Sequence, residues 1–310
     1  MPLSDNMPAF FEGFDTQSAF DFYESVRHRL PEATFPRSPT VATGLMDIAE
    51  HCDVFVLDAF GVLNVGNTAI AGAVERITQL RAMGKQVYVI TNAATMTKQR
   101  TIEKFERLGF DFTFDEIVTS RMAAENAIAP YDVKLWGVMS KTDFQSEDLA
   151  VPSILLANDI DAYDKADAFL LLSTGDWSSA QQKLLEASLS ARARPIVVAN
   201  PDVIAPRETC FSTETGFTAH RIANRLRLDI EFHGKPFRSV FDLVEASLKP
   251  GFDRSRICMV GDTLHTDVLG GAAQGWSTAL VTDFGLFQGH DVTPFINISG
   301  IVPNWIVPAI

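Results

Sequence analysis

An α/β protein built on a mainly parallel sheet is the fold class this sequence predicts, and three observations predict it. The apolar runs Val54 to Leu57 and Gln86 to Ile90 have the length and β-branched or aromatic content of buried strands. Helical patterns at Ala71 to Met83 and Thr97 to Leu108 alternate with them, each ended by a glycine, Gly84 or Gly109, suited to a left-handed cap. Strands separated by helices need crossover connections, and crossovers make neighbouring strands parallel.

The chain has 310 residues, 46% hydrophobic and 21% charged, enough for a full α/β core and a second, smaller unit. A formal net charge of -13 argues against a nucleic-acid partner, which would call for a basic patch or stripe. An anionic substrate must therefore meet a local positive centre. Cys52, Cys210 and Cys258 are too scattered for a disulfide framework and lack zinc-ligand spacing, so a reducing cytoplasm is the expected setting. The opening Met1-Pro-Leu-Ser-Asp-Asn has no basic or apolar leader, and no apolar run is long enough for a bilayer, so no membrane association is expected.

Taken in order, residues 1–50 read as a lead-in packed on the main unit, with an amphipathic piece from Ser18 to Leu30 broken by Pro31, Pro36 and Pro39. Its Phe10, Phe11, Phe14, Phe20 and Phe22 would be costly to expose and are expected to pack internally, although such a number also suits a subunit contact. After the first two strand–helix units comes a third, Glu116 to Thr119 and Arg121 to Ala129, closed by Pro130. The rhythm restarts within residues 133–228, with strands expected at Leu135 to Val138, Ser153 to Leu156, Ala168 to Leu172 and Ile196 to Ala199. This gives an expected main domain of residues 51–132 and 229–310 interrupted by a smaller α/β domain, 133–228. Gly234-Lys235-Pro236 precedes a helix at Ser239 to Ser247, and the strand Ile257 to Val260 runs into Gly261-Asp262-Thr-Leu-His265-Thr-Asp267. The residues from Phe287 on, with Pro294, Pro303 and Pro308, read as surface turns.

The strand ends carry the chemistry. Ligands of open α/β sheets sit at the carboxyl ends of the strands, which makes Asp58 and Thr91 candidates for one site. An aspartate there can attack phosphorus or carbon and form a covalent intermediate, whereas a lone one is more often a turn or cap. Asp262 and Asp267 add two hard-oxygen ligands of the kind Mg²⁺ selects, and His265 between them reads as exposed rather than ligating. Thr91 and Asn92, where a strand meets a helix start, offer a hydroxyl and N–H groups to phosphate oxygens, or simply cap the helix. Lys235, between Gly and Pro, supplies a fixed positive charge.

In this order and context the four motifs resemble the haloacid dehalogenase superfamily, over about Asp53 to Phe284. Within it they resemble the class IIA phosphatases, the group of the N-acetylglucosamine-operon and 4-nitrophenyl phosphate phosphatases. The resemblance implies a Rossmann-like parallel-sheet core with an inserted class IIA cap. It implies Asp58 as nucleophile, Lys235 as its partner, Thr91 on the phosphoryl group, and a Mg²⁺ held by Asp58, Asp262, Asp267 and the backbone carbonyl of residue 60. It also implies a small phosphorylated metabolite as substrate and a homodimer joined through the caps. Asn200-Pro201-Asp202 matches a recurrent loop of such caps, which places Asp202 and Arg207 near substrate.

One position departs. The second residue after the nucleophile is usually an aspartate that protonates the leaving alcohol; here it is Phe60, which keeps a carbonyl for the metal but can neither give nor take a proton. A positioned acid is worth about 10²- to 10⁴-fold, against accelerations of up to about 10²¹-fold for phosphate monoester hydrolysis. Its loss therefore narrows the leaving groups towards acyl and aryl phosphates sooner than it abolishes turnover. Two alternatives are a phospho-ligand-binding module without turnover and a carbon–halogen hydrolase, suggested by Asp58-Ala-Phe-Gly. The second fits poorly, because such enzymes use no metal and place their cap between the first two motifs, where only Val62 to Tyr88 lies.

Overall fold

The computed structural model describes residues 14–207, 210–248 and 251–310. Its larger sheet has seven strands in the order Thr40–Val41, Trp305–Val307, Ser277–Val281, Ile257–Gly261, Val54–Leu57, Gln86–Thr91 and Ile117–Thr119. Every neighbouring pair is parallel. All four residues of Val54–Leu57 are buried, as expected of a central parallel strand covered on both faces. The register aligns Leu57 with Val260 on one side and Val89 on the other, so Asp58, Asp262 and Thr91 emerge at the same edge.

The smaller sheet has five parallel strands, Glu231–Phe232, Ile196–Val198, Ala168–Leu171, Trp136–Met139 and Ser153–Leu155. Its first strand lies beyond residue 228: Glu231–Phe232 pairs with Ile196–Val198, so the chain returns towards the larger sheet only at Gly234. An antiparallel pair, Ile204–Pro206 with Phe211–Thr213, carries the Arg207 turn. Among the described residues, no helix is long and apolar enough to cross a membrane.

The lead-in is integral to the fold. Helix Thr16–Ser25 is opened by reciprocal bonds between Asp15 and Ser18, and it buries Phe20 and Phe22. These rings pack at once against Leu264 and Val268 of the larger unit and Val203 and Phe217 beside the smaller one. Phe14 meets Phe217 edge-on at 5.1 Å. Phe10 and Phe11 lie outside the described residues.

Two expectations are corrected. His265 is 0% exposed: its ring stacks on Tyr23 at 4.9 Å and its Nε2 meets Glu24 Oε1 at 2.6 Å. The partner comes from a helix some 240 positions earlier, at a sequence separation of 241, which no local pattern reveals. The C-terminal stretch is internal in part: residues 288–291 and Pro294 are exposed as expected, but its strand and several apolar side chains are not. Phe287 and Ile301 are fully buried, and Trp305–Val307 is inserted between two strands of the large sheet. Pro303 and Pro308 flank that strand instead of interrupting it, a position compatible with their missing N–H.

Candidate active site

Asp58 follows the central strand and is fixed there by its own N–H, which donates to the Val260 carbonyl at 2.8 Å. Its Oδ1 accepts the Ala59 N–H at 2.7 Å and pairs with Lys235 Nζ at 2.6 Å. The same ammonium reaches Asp267 Oδ1 at 2.7 Å, so one buried lysine bridges two buried carboxylates. Burial alone would push Lys235 down, but Asp267, Asp58 and Asp202 outweigh it and hold its pKa above the lysine range. Burial pushes Asp58 up to about 7, with Lys235 opposing and Asp267 adding to the rise.

Asp262 ends the neighbouring strand and accepts the Leu286 N–H at 2.8 Å and the Thr263 hydroxyl at 3.0 Å. Two glycines make room for it. A Cβ on Gly61 would lie 2.7 Å from Asp262 Oδ2 and one on Gly285 only 1.9 Å from it, and both glycines have φ of +77°. Asp267 comes from a π-type turn, Leu264–Val268, and accepts the Thr263 N–H at 3.1 Å.

One carboxylate oxygen from each of Asp58, Asp262 and Asp267 lies within 4.8 Å of the others. Lys235 shares its single positive charge between Asp58 and Asp267, so with all three carboxylates ionised two negative charges stay uncompensated. Asp262 has neutral donors in the contacts described, and burial, then Asp267 and Asp58, push its carboxyl well above the usual range. Three buried hard-oxygen ligands with a surplus of negative charge are a donor set that fits a divalent cation such as Mg²⁺.

Thr91, 2% exposed, lines the cavity beside Asp58, and its hydroxyl accepts the Ala93 N–H at 3.1 Å. Asn92 also lines the cavity, and its side chain is engaged with the lysine loop. Its amide oxygen accepts the Lys235 N–H at 2.7 Å, and its amide nitrogen donates to the Lys235 carbonyl at 2.9 Å and to Asp202 Oδ1 at 2.8 Å. One side chain thus holds the lysine loop and ties it to Asp202, whose carboxyl is pushed up to about 8 by burial, against the pull of Lys235. The Lys235–Pro236 peptide is cis.

These residues form one end of a cavity of about 620 Å³ that continues between the two sheets. Phe60 stands at its wall, with Lys104 Nζ 4.3 Å and Arg207 Cζ 5.2 Å from the ring centre. Arg207 also pairs with Glu214 at 2.9 Å and donates to Ser212 at 2.8 Å. Sequence reasoning brought Asp58, Phe60, Thr91, Asn92, Asp202, Arg207 and Asp262 to this cavity, with Lys235 and Asp267 directly behind it. It missed Lys104, Lys141 and Glu214. Lys104 is hidden in the helix Lys98–Arg107, where a basic residue in the last turn reads as ordinary dipole compensation.

A parallel α/β core with a lysine-bridged carboxylate cluster at its strand ends, roofed by a second α/β sheet, is an architecture of hydrolases. The profile of the haloacid dehalogenase-like hydrolases matches residues 55–148, and a second profile, of a HAD-hydrolase-like family, matches residues 232–304. The chain belongs to the haloacid dehalogenase-like hydrolases. It is 26% identical over 225 residues to an acid sugar phosphatase of Staphylococcus aureus, covering 72% of this chain and 84% of that protein. A possible sugar phosphatase from Cytophaga hutchinsonii superimposes with a TM-score of 0.75 at 25% identity, covering 88% of this chain and 98% of that one. NagD of E. coli K-12 shares the fold, with a TM-score of 0.62 at 21% identity over 83% of this chain and 96% of its own.

Proposed function

We propose that this protein is a Mg²⁺-dependent phosphatase or phosphotransferase acting on a small phosphorylated metabolite through an aspartyl-phosphate at Asp58. The observation that carries the reading is the convergence of Asp58, Asp262 and Asp267 around Lys235 at the floor of the cavity. In the first step a carboxylate oxygen of Asp58 attacks phosphorus as the bond to the leaving oxygen breaks. In the second, water attacks the same phosphorus, freeing Asp58 and inorganic phosphate. Lys235 Nζ holds Oδ1, so Oδ2 is the oxygen assigned to attack. Thr91 and the N–H groups at the following helix approach are assigned to the phosphoryl oxygens, and Asn92 to positioning Lys235. Asp58, Asp262, Asp267 and the Phe60 carbonyl would hold the cation, which neutralises phosphoryl charge when bound. Asp202 and Arg207, from the roofing unit, are assigned to the substrate.

The same reading takes the expected catalytic domain of 51–132 and 229–310 with its second boundary moved to Gly234, because Glu231–Phe232 belongs to the smaller sheet, and so extends the cap of 133–228 to residue 233, with a homodimer through the cap and a cytoplasmic setting. The cysteines, all free thiols, support that setting. Phe60 supports a second reading, a phospho-ligand-binding module without turnover. Phosphate release from 4-nitrophenyl phosphate, acetyl phosphate and a set of alkyl phosphates, with Mg²⁺ and then with EDTA, separates the two. Magnesium-dependent release, strongest for the first two, is expected; silence on every ester with the metal bound would leave the binding module.

A further inference from the structure

The roof is attached to the core by more than its own chain. The backbone passes between the two units between residues 128 and 136 and again at Gly234. Two such crossings alone would leave a hinge on which the smaller unit could swing. Helix Thr16–Ser25 adds a third attachment, made by side chains. Thr16, Phe20 and Glu24, four residues apart, share one helix face and hold the core. The Thr16 hydroxyl donates to the Leu286 carbonyl at 2.8 Å, Phe20 meets Phe295 at 5.0 Å, and Glu24 meets His265 at 2.6 Å.

Phe22 and Tyr23 hold the roof. Phe22 lies 4.9 Å from Phe217 and 6.3 Å from His220, both on the helix Thr215–Leu226. That helix sends Ala219 and Ile222 into the roof's own core. The Tyr23 hydroxyl accepts the Val203 N–H at 3.0 Å, and just past the helix Arg29 donates to Asn224 at 2.5 Å. The loop that carries Val203 is also tied to the floor, because Asn92 donates to Asp202 at 2.8 Å. Ile204 shares an apolar cluster with Leu286 and Phe287 of the core.

The cavity nevertheless reaches solvent with the roof docked. Asn67 on the core side and Lys141, Asp143 and Asp176 on the roof side line it and are exposed. About 620 Å³ behind this mouth is room for a small phosphorylated metabolite, so its access needs no movement of the roof.

We infer that helix Thr16–Ser25 is a strap that keeps the roof docked on the core throughout turnover, so that substrate enters and product leaves by this mouth. Undocking would expose the Phe22 and Phe217 rings and strip the Val203 N–H of its acceptor. The strap is independent of what the floor catalyses; the turnover arm of its test rests on the phosphatase reading.

The roof is fastened covalently in two variants of the Cys210→Ser protein, whose remaining cysteines are buried. Arg29→Cys with Asn224→Cys ties the strap to the roof. Arg100→Cys with Asp148→Cys, at an ion pair of 3.6 Å, ties the core helix Lys98–Arg107 to the roof. Each pair is bridged by a bis-maleimide that carries a cleavable disulfide, and 4-nitrophenyl phosphate is assayed in Mg²⁺ before and after cleavage. Bridged and cleaved forms are expected to agree within about threefold in kcat and kcat/KM. A larger loss in either bridged form, regained on cleavage, would overturn the inference, because turnover would then need the roof to part from the strap or the core. Hydrogen exchange tests the strap without turnover. Phe22→Ala with Tyr23→Phe should speed exchange of the Val203 amide by about tenfold or more, while the amides of Val54–Leu57 keep their rates. Tyr23→Phe alone serves if the pair fails to fold. An unchanged Val203 rate would overturn the strap as what holds the roof. Should the unaltered protein turn over no ester, the phosphatase reading falls and the exchange result alone decides the strap.

Discussion

Restoring a carboxylate at position 60 asks whether this site lacks a general acid or receives one from elsewhere. A positioned acid contributes about 10²- to 10⁴-fold, or about 2.7 to 5.5 kcal/mol of barrier. The structure lowers the gain to expect from Phe60→Asp. The new carboxylate would sit beside the Lys104 ammonium, now 4.3 Å from the ring centre, and near Arg207, at 5.2 Å. Opposite charges at such range lower a carboxyl pKa by about 1 to 3 units, so at neutral pH the new group is mostly ionised and a diminished acid. We therefore expect a rise in kcat/KM of about 10- to 10²-fold for alkyl phosphates. For aryl phosphates, whose leaving groups need no proton, the rise should stay within about threefold. Adding Lys104→Met to Phe60→Asp should lift the alkyl gain by about a further tenfold, because it releases the carboxyl from its ion pair. The assay is initial phosphate release in Mg²⁺, read as kcat/KM so that breakdown of the aspartyl-phosphate does not enter. Equal changes for alkyl and aryl esters, with the fold intact by circular dichroism, would refute the reasoning and point to a proton donor already in place.

Three further expectations test separate parts of the site and fold. Asp58→Asn should reduce turnover to background while leaving the thermal transition close to that of the parent; retained activity in the purified variant would remove Asp58 as nucleophile. Gly285→Ala would place a methyl 1.9 Å from Asp262 Oδ2, at a φ of +77°, so Mg²⁺ affinity by calorimetry should fall by about tenfold or more. Unchanged affinity would exclude Asp262 as a ligand. His220 stacks on Phe232 at 4.6 Å, and burial, helped by Arg29 and His28, pushes its pKa down to about 3. Its neutral form is thus favoured on folding, and that contribution is complete above about pH 6.5 and lost as pH falls towards 3, at about 1.4 kcal/mol per unit. Urea unfolding of His220→Phe between about pH 4.5 and 6 should show a pH slope shallower by about that amount, and an unchanged slope would contradict the assignment.

The parts of this fold that were legible in the sequence are those whose causes are local. A run such as Val54 to Leu57 is apolar because both faces of a central strand are covered, and its end is marked by the first polar side chain, Asp58. Gly84 and Gly109 mark helix ends because the chain there takes φ of +75° and +91°, which only glycine adopts freely. Motif spacing located Asp262 and Asp267 because both carboxylates follow one strand within a few residues. The errors concern residues whose environment is supplied from far along the chain. Trp305–Val307 is flanked by prolines and has no neighbouring helix pattern, yet strands at residues 277–281 and 40–41 complete its hydrogen bonds on both sides. Lys104 sits on a helix face that looks solvent-directed until the hairpin at residues 204–213 closes over Phe60.

His265 shows why the lead-in belongs to the site's architecture. Its ring lies inside the turn that supplies Asp267, between Tyr23 and the Phe20 ring at 5.3 Å, and is bonded to Glu24. The Tyr23 hydroxyl in turn accepts the N–H of Val203, the residue after Asp202. Helix Thr16–Ser25 therefore touches the loop that presents the carboxylates and the loop that roofs them, through adjacent residues of one turn. A roof that swung freely would break the Tyr23 contact, worth about 1 kcal/mol, and expose the Phe22 and Phe217 rings, which lie 4.9 Å apart. Burying each such ring is worth about 1.5 to 3 kcal/mol. The sum exceeds the thermal energy several-fold, which favours a roof set at fixed height over the floor.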